Sequence, residues 1–170
     1  AIARKTTLAV NYTGVRGVHL LRSLDANAPI PRLGTRPAAD FNLIRHIESS
    51  GTSKSHGFDV AVRGKITSWF DGSIDYRHRR SHSDVDSPDR LPANSRDLSL
   101  EWSRSDYDQR HRVRLAGVIN FKDLFRTGII FSATSGRPYT ITTGRDENGD
   151  GIASDRLTGF RRNTGEGTGG

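Results

Sequence analysis

Apolar residues in this chain recur at every second position in short blocks, and almost nowhere at the spacing of an amphipathic helix. That period puts successive side chains on opposite faces of an extended backbone, so the chain is expected to build sheet. Thr6, Leu8, Val10 and Tyr12 share one face and Thr7, Ala9 and Asn11 the other; Gly14 reads as an interruption, and Val18 to Ser23 as a second short strand. Phe58, Val60 and Val62 alternate with Asp59, Ala61 and Arg63, and Phe70, Gly72, Ile74 and Tyr76 alternate with Asp71, Ser73, Asp75 and Arg77. These two blocks read as a hairpin turning near Lys65 to Ser68. Val113, Leu115, Gly117, Ile119 and Phe121 begin another, which turns through residues 122–126 and returns over residues 127–135. Weaker alternation runs through Leu98, Leu100 and Trp102, and through Tyr139, Ile141 and Thr143. The fold class is all-β, with antiparallel up-and-down strands.

Between these blocks lie two long polar stretches. Residues 25–55 hold Pro29, Pro31 and Pro37 and one apolar cluster at Phe41, Leu43, Ile44 and Ile47, and read as a loop with a helical turn or one irregular strand. Residues 81–111 are the second. Several strands reach the roughly 9–11 residues that cross a bilayer at a tilt, and short turns alternate with long polar loops, the asymmetry of an outer-membrane barrel. Tyr12, Trp69, Phe70, Tyr76, Phe121, Phe125 and Tyr139 stand at strand ends, where interfacial girdles lie. Only 33% of residues are hydrophobic, so any core is expected to be thin.

Composition narrows the functional classes. With no Cys among 170 residues, disulfides, thiolate catalysis and Cys-based zinc sites are excluded. No apolar run approaches the ~18–20 residues of a membrane-spanning helix. The start carries neither an initiator Met nor a signal-peptide pattern, and reads as a mature chain or an internal fragment. Net charge is +7, and the basic groups are 22 Arg against 4 Lys. Arg offers a planar fork for carboxylate or phosphate, although ion pairing alone is weak evidence of a site. Between residues 77 and 112 eight Arg face seven carboxylates, so no simple basic patch forms there, and no nucleic-acid module is present. Paired charges on a barrel wall, or contacts with lipid phosphates, suit those arginines better. There is no nucleophile elbow, metalloprotease helix or phosphate loop, and we expect no enzyme.

One segment resembles the first part of a calcium loop. Asp146, Asn148 and Asp150 supply oxygens at positions one, three and five, Gly151 stands at six, Ile152 offers a carbonyl at seven and Ser154 follows at nine. Position twelve is Leu157 where a bidentate Glu is needed, which leaves Asp155 to swing in. The alternative is a plain turn, because Asn148-Gly149 and Asp150-Gly151 are strong turn dipeptides. Calcium is the one cofactor to consider. His78 and His82, with Asp84 and Asp86, make a weaker metal candidate, since on a strand the two imidazoles would lie about 13 Å apart at ~3.3 Å per residue. A solvated loop suits them better.

The run Tyr12-Thr-Gly-Val-Arg-Gly-Val-His-Leu-Leu-Arg22, the run Arg104-Ser-Asp-Tyr-Asp-Gln-Arg-His-Arg112, and Ser135-Gly-Arg-Pro-Tyr-Thr-Ile-Thr-Thr-Gly144, followed by residues 146–151 and Ser154-Asp-Arg156, resemble the β-barrel of TonB-dependent outer-membrane receptors, Oar-like, of the carboxypeptidase-regulatory-domain type. The resemblance implies a bacterial outer-membrane transporter that takes up a bulky solute by binding and gated passage. Its implied partners are outer-membrane lipid, the remaining barrel and plug of the same receptor, TonB through the missing part, and an unknown solute. No plug, TonB box or barrel-closing strand is legible, so residues 1–163 are expected to be a segment of a large barrel, and residues 164–170 a flexible glycine-rich tail. An open sheet in lipid leaves unpaired backbone groups at its edges, so other strands must complete it.

Two rivals remain: a soluble extracellular β-sandwich or adhesive module that binds calcium or glycan, and a structural subunit whose edges pair with other chains. They differ in what the strand faces meet. A barrel segment turns Phe58, Val60, Val62, Ile74, Val113, Leu115 and Ile119 toward lipid and Asp59, Asp71, Asp75 and Arg114 toward a wet lumen. A sandwich buries the same apolar set against a second sheet.

Overall fold

The computed structural model describes residues 5–122 and 124–169, and all of their regular structure is strand. β1 (Thr6–Asp25), β2 (Arg45–Lys65), β3 (Phe70–Ser83), β4 (Ser103–Arg104), β5 (His111–Phe121) and β6 (Phe125–Thr134) form one sheet in the order β1-β2-β3-β5-β6, with β4 paired to the upper end of β3. β7 (Pro138–Tyr139) and β8 (Gly165–Glu166) make a separate two-stranded ladder. All pairings are antiparallel, and the main sheet stays open, with β1 and β6 as its edges. The all-β, up-and-down fold class is therefore observed.

Both expected hairpins form. Between β2 and β3 the amides of Ile66 and Thr67 donate to the Phe70 carbonyl, while Thr67 Oγ1 accepts from the Phe70 amide at 3.0 Å. Between β5 and β6 the Leu124 amide donates to the Phe121 carbonyl at 2.8 Å. Side chains can cap these tight connections because each spans only a few residues.

Several expectations need correction. The two short strands before residue 25 are one 20-residue strand. Gly14 does not interrupt it: it pairs with His56 in the β1–β2 ladder, with the Tyr12 ring beside it. The irregularity falls later, at His19 with φ +57°, where the register with β2 shifts between Gly17 and Leu21. Once β1 extends that far it offers a partner to residues 45–55, so the loop after it covers only residues 26–44. Leu98 and Leu100 lie in turns: Asp97 Oδ1 accepts the Ser99 amide and Asn94 Oδ1 the Arg96 amide, local bonds that compete with a ladder. Of the run after Ser135 only Pro138 and Tyr139 pair, and Tyr139 sits in β7 against Gly165, away from the sheet's aromatic ends. The supposed tail from residue 164 thus holds a strand, and the Gly167 amide donates to the Arg137 carbonyl at 3.0 Å.

The register sorts the side chains into two chemistries. Leu8, Val62, Ile74, Leu115 and Phe131 lie side by side across five strands, as do Val10, Val60, Tyr76, Val113 and Ala133. Among the described residues no second sheet covers this apolar face, and Leu8, Val10, Phe58, Phe121 and Phe131 are exposed. The sandwich reading fails on that point. Among the described residues only Ala28 and Phe70 are buried hydrophobic side chains, so the described sheet has no hydrophobic core of its own.

Phe70 shows how the apolar face is made level. Its ring seats over Gly72 of its own strand and Gly117 of β5, where a Cβ at residue 117 would stand 2.7 Å from the ring. The gap between two glycines is filled by one aromatic. We expect Gly117→Val to unseat the ring and cost roughly 1–3 kcal/mol, the usual penalty of overpacking. Urea unfolding in detergent should show a lower midpoint than the parent chain, and an unchanged midpoint would mean that the seat is not tight.

Candidate functional site: the polar wall and the loop assembly

The second face of the sheet is polar by the same register. Asp59 lies directly opposite Arg77 and the two are ion-paired; Arg63 reaches diagonally to Asp75 at 3.3 Å. With Asn11, Arg112 and Arg114 they border a groove of about 370 Å³. Of the four residues expected to face water, Asp59, Asp75 and Arg114 line this groove, and Asp71 lies on the same face nearer the short turns, opposite Lys65 and Val118.

β5 joins the two ends. Its 11 residues extend about 33 Å, which at a tilt of ~40° covers about 25 Å, the height of an outer-membrane apolar band. At the turn end Trp69 packs on Phe70 and Phe121 stacks on Phe125 at 5.6 Å. At the loop end Phe58 meets Tyr76 at 6.1 Å and stacks on His78 at 5.3 Å. His111 lies against His78, and its Nδ1 is 2.8 Å from the Tyr76 hydroxyl. The aromatic rings at the band's two edges were legible in the sequence, but the part His78 and His111 play in one of them was not, because imidazole is not counted among girdle residues.

Beyond the band the three long connections, residues 26–44, 84–110 and 135–169, fold together around buried polar groups. Asp25 accepts the amides of Asn27 and Ile44 and pairs with Arg36 at 3.0 Å. The buried Asn27 amide donates to the carbonyls of Ala38 and Phe41 and accepts the Ala38 amide. Asp108, fully buried, takes the Ser81 amide and Arg104 Nε, each within 2.8 Å, with Arg110 at 3.5 Å. Arg162 bridges Asp86 at 2.6 Å to the Glu101 carbonyl, and Arg156 pairs with Glu101. Arg22, Asp84, Asp86, Arg90, Glu101, Arg156 and Arg162 line a cavity of about 200 Å³ within this assembly.

This explains the excess of Arg over Lys. One guanidinium can meet a carboxylate and a carbonyl at once, as Arg36 does with Asp25 and the carbonyls of Asn27 and Asp150. A buried ammonium could not satisfy so many fixed acceptors in one plane.

The candidate calcium loop is folded on itself. Asp146 accepts the amides of Gly149 and Gly151, at 2.7 and 2.8 Å, Asn148 Oδ1 that of Asp150, and Asp150 that of Ile152. Asp155, which was to complete the shell, instead receives the amides of Glu147 and Asn148. Ser154 donates its amide to the Ile152 carbonyl. Gly149 and Gly151 hold φ of +76° and +86°, as turn glycines do. Among the described residues no group of three or more His, Asp or Glu side chains converges on a metal position. His82 stacks on Trp102, and Asp84 and Asp86 pair with Arg22 and Arg162, so the His78 to Asp86 stretch forms no cluster.

A single-layered antiparallel sheet that is apolar on one face and charged on the other, with tight turns at one end and folded loops at the other, defines a membrane-barrel wall. The sequence model of the outer membrane beta barrel domain family matches residues 1–169, and the chain belongs to that family. It is a β-barrel protein of the bacterial outer membrane. No curated protein and no solved structure matches it. The apolar face therefore meets lipid, the polar wall faces the lumen, and the long loops lie outside the cell.

Two predictions follow from the loop assembly. Replacing Asp108 by Ala strands Arg110, leaves Arg104 only the exposed Glu166, and should cost about 3 kcal/mol. Limited proteolysis in detergent should then cut residues 84–110 while far-UV dichroism of the sheet persists. At Asp150, burial, followed by repulsion from Asp155 and Asp146, outweighs the Ile152 amide and holds the carboxyl above the usual carboxylate range. A raised pKa favours the folded turn at low pH and weakens it as the pH climbs through that value. Asp150→Asn keeps the acceptor and removes the charge. Amide protection at Ile152 should then stop falling with pH, whereas a slope equal to the parent's would exclude this cause.

Proposed function

We propose that this wall segment belongs to a TonB-dependent receptor that takes up a bulky solute by capture at the loop end and gated passage along the polar wall. The observation that carries the reading is the folded loop assembly. The three connections pack over their own buried ion pairs beyond the apolar band, an ordered outer surface suited to holding a solute. Below it the groove lined by Asp59, Arg63, Asp75 and Arg114 continues the hydrophilic surface into the membrane-spanning part. The resemblance of residues 12–22, 104–112 and 135–156 to such receptors supports the same reading. The plug and the TonB contact would come from other parts of the receptor.

Energy dependence separates this reading from a passive pore. Cells with and without the full-length gene, each with and without the TonB-type energiser, are grown on a complex medium and solute depletion is followed by mass spectrometry. We expect at least one bulky solute to be depleted only when both gene and energiser are present. Depletion of the same solutes without the energiser would assign the barrel to diffusion.

A further inference from the structure

The lipid-facing side of the sheet is not the same at its two ends. Just beyond the Phe58 and His78 row, Gly14 lies opposite His56 and His56 opposite Arg80; one row further, Arg16 lies opposite Lys54 and Lys54 opposite His82. All of these share the parity of Val10, Phe58 and Ile74, the face that meets lipid. Arg16, Lys54 and Arg80 are exposed, and among the described residues none of the ion pairs includes them. At the turn end the same face carries Phe70, Phe121 and Phe125; by the register Lys65 and Arg126 fall on the other face, and Lys122 stands in the turn.

Like charges placed side by side on neighbouring strands destabilise a sheet, so such a cluster needs a counter-charge from outside the chain. Two rows along the strands and three strands across give a patch of about 7 by 10 Å. It stands immediately above the aromatic edge of the apolar band, at the depth of the outer leaflet's headgroups. On the opposite face Arg77 and Arg63 are matched by Asp59 and Asp75, whereas no carboxylate stands in either row of this patch.

We propose that Arg16, Lys54 and Arg80, flanked by His56 and His82, bind the phosphate groups of an outer-leaflet lipid headgroup. The lipid's chains would lie along Val10, Phe58 and Tyr76, which continue the same face downward. This assignment rests on the barrel family and the register and is independent of what the barrel transports.

Trp102 stacks on His82 with ring centres 6.4 Å apart, so its fluorescence reports on the patch. The full chain in non-ionic detergent micelles is titrated with bisphosphorylated lipid A, with the same lipid dephosphorylated, and with inorganic phosphate as competitor. We expect saturable quenching by the phosphorylated lipid alone. The triple variant Arg16→Gln, Lys54→Gln, Arg80→Gln should bind about a hundredfold more weakly, at about fivefold per charge. A charge-matched control at the turn end, Lys65→Gln with Lys122→Gln and Arg126→Gln, should stay within twofold of the parent. Should the triple variant lose its sheet by far-UV dichroism, Arg80→Gln alone serves, with the fivefold loss expected. Unchanged affinity in the patch variants, equal binding of dephosphorylated lipid, or equal loss in the control would each overturn the proposal. Displacement by inorganic phosphate would assign the patch to a soluble anion and overturn the lipid assignment.

Discussion

In hydrocarbon a backbone amide finds no partner except another backbone carbonyl, and this chain is organised by that constraint. Each central strand of the main sheet is bonded on both sides over its membrane-spanning length, from the β1–β2 ladder to the β5–β6 ladder. The ladder in turn sets which side chains share a face. A register slip of one residue would carry Asp59, Asp75 and Arg114 into lipid and Val60, Ile74 and Leu115 into water. The outer edges of β1 and β6 obey the same rule, and in the membrane they need further strands.

Because the apolar side chains are committed to lipid, the protein's interior is built from polar groups. Most of the buried residues described are polar, such as Asp108, Glu101, Asn27, Asn163 and Ser105, and they cluster toward the loop assembly. An interior of this kind is stable only when each acceptor and donor is met. Asp108 meets an amide and two guanidinium groups, and Asn163 donates to the Arg104 carbonyl and Asp106. The same bonds hold the outer loops in one arrangement without a hydrophobic core beneath them.

The sheet was legible because alternation is a local signal: Phe58 to Val62 and Phe70 to Tyr76 announce two faces and a turn in a single stretch of chain. The lumen and lipid assignments of Asp59, Ile74 and Arg114 followed from it. Strand lengths were less legible. The upper halves of β1 and β2 carry no alternation, since small residues such as Gly17, Ser49, Gly51 and Ser53 fill them, and only tertiary pairing makes them strands. The loop assembly was not legible, because it depends on contacts between residues far apart in sequence, such as Arg162 with Asp86 or Asn148 with Ala93. Its composition left one trace, the preference for Arg. The 146–155 segment was recognised as oxygen-rich, but whether its carboxylates serve an ion or their own backbone is decided by the fold around Asp155.

The placing of tight turns at one end and long connections at the other has a consequence for how such a wall changes over time. Lengthening a surface connection adds only about 0.6 kcal/mol of closure entropy per doubling, whereas altering a tight turn shifts every pair in two strands. The environment-facing end is free to diversify, by insertion or exchange, while the periplasmic end stays constant. New recognition surfaces can therefore be tried on an old scaffold without rebuilding it.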